Sequence, residues 1–69
     1  MYVIKRLSDD KFLGYFSLSR SSFSSYWAIK DISAMHFSCV EEVKAIIDFL
    51  INVIDEEFDG DLIYVRVPV

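Results

Sequence analysis

Residues 38–55 read SCVEEVKAIIDFLINVID, and this stretch decides the fold. At about 100° per residue, Val40, Val43, Ile47, Leu50 and Ile54 fall on one stripe, the spacing of an amphipathic helix. Ser38 followed three residues later by Glu41 has the form of a capping box. Glu41 and Glu42 stand where the helix dipole favours anions, so a helix is predicted from this point to about Asp55. Ile46, Phe49, Ile51 and Val53 flank the stripe and widen the apolar arc to about 200°, more than one sheet face would cover. Lys44, Asp48, Asn52 and Asp55 make the only fully polar strip.

Upstream, Tyr2–Leu7 (YVIKRL) and Phe12–Leu18 (FLGYFSL) are β-branched and aromatic runs of strand length. The polar residues Ser8 to Lys11 between them predict a hairpin. Alternation puts Tyr2, Ile4 and Arg6 on one face and Val3, Lys5 and Leu7 on the other. Gly14 marks an expected bulge or close backbone approach. Ser17–Ser25 holds six serines in nine residues and reads as a loop leading to a third short strand, Tyr26–Ile29. Downstream, Asp59 and Gly60 supply turn chemistry, and Asp61–Val67 is a final strand ended by Pro68. The expected order is β-β-β-α-β: a single α+β domain over residues 1–69, with a small antiparallel sheet and one helix packed on one face.

A chain of 69 residues cannot be divided and still enclose a core. With 54% hydrophobic and 16% aromatic residues it lies outside the composition of disordered chains. The single cysteine, Cys39, has no partner for an internal disulfide, and no Cys/His set is present to hold zinc, so stability is expected from packing. The first seven residues contain no signal-peptide apolar run. The greasy stretch Ala45–Ile54 is far shorter than a membrane span. A cytoplasmic location is the expectation.

Charge is unevenly placed. Residues 1–30 carry five cations and two anions, net +3, whereas residues 31–69 carry two cations and nine anions, net −7, giving −4 for the chain. The first reading is that the two halves attract within one fold; the second is an acidic surface that meets a basic partner.

Motifs for chemistry are thin. Asp55, Glu57, Asp59 and Gly60 match the start of a calcium-binding loop, but position 12 is Arg66 rather than the required Glu. His36 and Cys39 lie three apart at the helix entrance, with only Asp31 or a Glu to serve as an orienting third group, so Cys39 is expected as a small buried filler and His36 as a partly exposed loop residue. Glu41 and Glu42 diverge by about 100° and cannot act as a pair. The two glycines, Gly14 and Gly60, are too far apart for a phosphate loop. No enzyme activity, metal or cofactor is predicted.

The alternative to protein binding is single-stranded nucleic acid. Lys5, Arg6, Arg20 and Lys30, with Lys11, stand beside the stacking aromatics Phe16, Tyr26 and Trp27. Against it, an isoelectric point near 4.6 implies a repulsive field.

The leading expectation follows from the surplus of apolar side chains. One helix covers one sheet face, so large side chains remain on the other, and such patches mark binding or self-association surfaces. Phe16, Tyr26, Trp27, Phe49 and Tyr64 are the expected anchors, with Asp55, Glu56, Glu57, Asp59 and Asp61 steering toward a basic target. A homodimer, a protein partner or both is predicted.

Asp31, Ile32, Ala34, Phe37, Ser38, Glu41, Glu42 and Val43, between a strand hairpin and a terminal strand, resemble the segment that opens the single helix of small phage-encoded accessory proteins. Val43 stands where those proteins usually carry Ala. Anti-CRISPR inhibitors are among proteins of this size and acidity. The resemblance implies a non-catalytic protein that binds and blocks a larger host machine in the host cytoplasm.

Overall fold

The computed structural model describes residues 1–68, with strands β1 (Tyr2–Arg6), β2 (Lys11–Leu18), β3 (Phe23–Ala28) and β4 (Leu62–Arg66). Helix α1 (Val40–Phe49) lies between β3 and β4 in the chain. The strands form one antiparallel sheet in the order β3-β2-β1-β4. This is the small α+β fold that the apolar periodicities require.

Alternation divides the sheet as expected. Ile4, Leu13 and Leu62 point to the helix side, where they close around Val43, Leu50 and Phe37. Tyr2, Phe16, Phe23 and Trp27 pack around that core from the sheet, and Ile46, Ile47, Phe49 and Ile54 from the helical segment. Val3 faces the other way and is buried under Ala34 and Val67, beside Phe12 and Val65. Part of the second face is therefore covered by the chain between β3 and α1 and by the residue after β4.

β1 and β2 pair only at Lys5–Phe12 and Arg6–Lys11. Beyond those pairs the segment before α1 supplies the missing partners. Tyr2 and Phe37 exchange both backbone hydrogen bonds at 2.8 Å, and the Met35 N–H donates to the Leu13 carbonyl at 2.8 Å. Backbone groups in a buried seam need partners, so this segment completes the sheet.

Three local expectations are corrected. The serine-rich stretch is a hairpin: β2 continues to Leu18 and β3 starts at Phe23, three residues earlier than expected. Serine has little strand preference, but Phe16 and Phe23 alternate onto the core side and stack at 6.2 Å, while the Ser17 and Ser24 hydroxyls bond across the other face at 2.8 Å. The capping box does not form; extended Cys39 is the N-cap, without a side-chain bond, and is exposed rather than buried. The helix changes pitch at Leu50 and runs to Ile54 as a π-helical turn, closed by the Asp55 N–H on the Leu50 carbonyl at 2.9 Å.

The charge halves are not tied by ion pairs. Among the described residues both salt bridges, Lys5–Asp10 and Arg6–Asp9, lie within residues 1–30.

Candidate protein-binding site

Gly14 interrupts the register between β2 and β3, so the bulge expected there is present. The bare glycine makes room for an aromatic ring: a Cβ at position 14 would lie 2.5 Å from Tyr26 Cδ2. Tyr26 therefore rests directly on backbone. The register shift sets Tyr15 opposite Tyr26, and the two rings stack with centroids 6.2 Å apart and planes 24° from parallel. Each ring remains more than half exposed, 54% for Tyr15 and 53% for Tyr26. The result is a flat, wet, aromatic platform on the face away from α1, fixed by strand pairing beneath it.

Just past β3 the chain exposes Ile29 at 78% and Ile32 at 80%. These are large apolar side chains on a turn whose backbone is held by the Ser33 N–H on the Lys30 carbonyl and the Ala34 N–H on the Asp31 carbonyl. The total accessible area, 4659 Å², is close to the roughly 4,450 Å² expected of a compact chain of this mass. The apolar surplus thus lies in what the surface is made of, not in an open structure.

The expected anchors are dispersed. Phe16 and Phe49 meet at 6.4 Å, half-buried at the core margin. Trp27 is half-buried on the helix side; its indole N–H donates to Ser25 Oγ at 3.0 Å, its ring lies 6.1 Å from Phe58, and the Arg6 guanidinium covers it at 4.1 Å. Tyr64 sits at the opposite edge against Tyr2 at 5.9 Å, with Lys44 5.9 Å from its ring. Only Tyr26 belongs to the platform. Tyr15, Ile29 and Ile32 were absent from the expected set.

Of the acidic residues, Asp55 accepts the Glu57 N–H at 2.9 Å and caps the 3-10 turn Glu56–Phe58. Asp61 is a clasp: its carboxylate accepts both the N–H and the hydroxyl of Ser8, at 2.8 and 2.9 Å. Glu56, Glu57 and Asp59 are exposed.

The basic residues do not converge. Lys5 lies on the second face, 3.4 Å from Asp10, and Arg6 on the helix side with both ends of its guanidinium on the Asp9 carboxylate at 2.6 and 3.1 Å. That ion pair holds the Asp9 carboxyl below its ordinary value. Arg20 is in the β2–β3 turn, and Lys30 follows the far end of β3. Among the described residues no three His, Cys, Asp or Glu side chains gather as a metal site, and no helix is long and apolar enough to cross a membrane.

The chain matches no protein-family model, no curated protein and no solved structure.

A second surface lies at the β4 edge. Lys44, Ile47 and Asp48 of α1 face Leu62, Ile63 and Tyr64 across an open, mainly apolar groove of about 630 Å³. The hydrogen bonds Leu7 N–H to Asp61 carbonyl and Val67 N–H to Met1 carbonyl fix the β1–β4 ladder at both ends. In an antiparallel ladder bonded pairs alternate, so Ile63 and Val65 point their backbone groups at β1 while Leu62, Tyr64 and Arg66 point theirs at the free edge.

Proposed function

We propose that this protein is a non-catalytic protein-binding module that docks a larger partner on the Tyr15–Tyr26 platform. The observation that carries this reading is the pairing of exposure with rigidity: two stacked tyrosines, each half open to water, one of them seated on Gly14. Tyrosine offers large amphipathic contact area at small entropic cost, and a ring already held in place loses little freedom on binding. The exposed Glu56, Glu57 and Asp59 and the net charge of −4 favour a partner with a basic surface. The resemblance to phage accessory proteins points to a host defence protein, such as a CRISPR effector, as the class of target and to inhibition by occupancy as the outcome. Single-stranded nucleic acid has less support, since Arg6 is held by Asp9 and Trp27 on the face opposite the platform and Lys5 is paired with Asp10.

The test is affinity capture from cells of the source, comparing the wild-type chain with Tyr15→Ser/Tyr26→Ser. One protein retained in stoichiometric amount by the wild type and lost from the variant, with circular dichroism unchanged, supports the proposal. Identical retained sets oppose it.

A further inference from the structure

We infer that a second copy of this chain pairs with the free edge of β4, antiparallel about a two-fold axis at Ile63, and joins two four-stranded sheets into one. The edge is open for it: Leu62, Tyr64 and Arg66 present their backbone N–H and carbonyl groups outward, and among the described residues β4 is the last strand on that side of the sheet. An edge of this kind is a template for another strand. The groove beside it on the helix side is apolar, and Ile63, whose side chain lies on the opposite face with Lys5, is 40% exposed.

Charge selects both the occupant and the register. Lys44 lies level with Tyr64, 5.9 Å from its ring, and Asp48 is one helical turn further along the same groove. A two-fold axis at Ile63 runs the two α1 helices antiparallel, so Lys44 of each copy comes level with Asp48 of the other. The same register sets Leu62 opposite Tyr64 of the second copy, Ile63 against its own image, and Arg66 beside the Asp59–Asp61 turn of the second copy. Centring on Tyr64 would instead bring two lysines together at the axis. Centring on Val65 or Arg66 would place Pro68, which has no N–H, within the new ladder. The surface is self-complementary, as an isologous contact requires.

This inference rests on the reading of the chain as a binding module, and it uses a different face from the tyrosine platform. Its test is sedimentation equilibrium of the full chain from micromolar to millimolar concentration, on the wild type and three variants. The wild type should reach twice the mass of one chain. Ile63→Glu, whose new carboxylate faces Lys5 across β1–β4, should keep the fold and stay monomeric. Lys44→Glu and Asp48→Lys alone should each self-associate about tenfold more weakly, the order expected when two exposed ion pairs become two like-charge contacts. Mixed in equal amounts they should recover the wild-type association, because in the mixed pair every contact is again between opposite charges. A monomeric wild type at every concentration overturns the inference, as does a dimer indifferent to Ile63→Glu or a mixture no tighter than its components. Capture by the tyrosine platform is read separately and stands or falls on its own variant.

Discussion

Tyr26 lies over Gly14 so closely that a single added methyl group would stand 2.5 Å from its Cδ2 and 3.1 Å from its carbonyl oxygen. Strand glycine is ordinarily a weakness, since it contributes no side chain to the sheet. Here the missing side chain is the seat of the exposed ring.

Gly14→Ala should therefore destabilise the fold by about 1–3 kcal/mol through overpacking. In the Tyr26→Ser background the same change should cost much less, because the displaced ring is gone and neighbouring substitutions couple. Urea denaturation of the four-member cycle measures the coupling; strict additivity would show that the ring does not depend on the glycine.

The Arg6 guanidinium is clamped between Asp9 and the Trp27 ring, and Trp27 is the only tryptophan. Asp9 has a lowered folded-state value, so its contribution is complete above the ordinary value of 3.8 and is lost as pH falls through the lower folded value. Trp27 fluorescence should change over that acid window as Arg6 is released. Asp9→Asn should remove the acid step and shift the neutral-pH spectrum toward the acid form of the wild type.

Asp61 ties the β1–β2 turn to the start of β4 through two bonds from Ser8. Asp61→Ala should cost about 1–2 kcal/mol. Asp59→Ala, at an exposed position without such bonds, should fall within about 0.5 kcal/mol of wild type. Equal losses in thermal melts would contradict the assignment of Asp61 as a clasp.

Leu50 is wholly buried where the α-helical turn widens into the π-helical one. Leu50→Ala should cost about 2–5 kcal/mol, whereas Val53→Ala, at 64% exposure, should be nearly neutral.

The contrast between Leu50 and Val53 shows what was legible in the sequence. The 3.6-residue period of Val43, Ile47, Leu50 and Ile54 identified the helix and its inner face because burial repeats with the turn. The alternation of Tyr2, Ile4 and Arg6 likewise identified β1. The start of β3 was hidden, since serines carry no strand preference and the Ser17–Ser24 hydroxyl bond depends on register. Cys39 replaced Ser38 at the N-cap because the chain before α1 stays extended to pair Phe37 with Tyr2, a long-range demand that no local motif records. The candidate site was only partly readable. Tyr26 stood out as an aromatic anchor, but Tyr15 becomes its partner only through the one-residue shift at Gly14. Trp27 has the composition of an anchor, yet Arg6 and Phe58 already occupy its faces.

The most direct measurement of the central claim is a calorimetric titration of the purified captured partner with the wild-type chain and with Tyr26→Ala, at low and physiological salt. Docking on the tyrosine platform predicts binding with a negative heat-capacity change, weakened at least about tenfold by the loss of a central aromatic anchor, while the variant keeps its circular dichroism. An affinity within about twofold of wild type, on the scale where tenfold is one hot-spot contact, would contradict it.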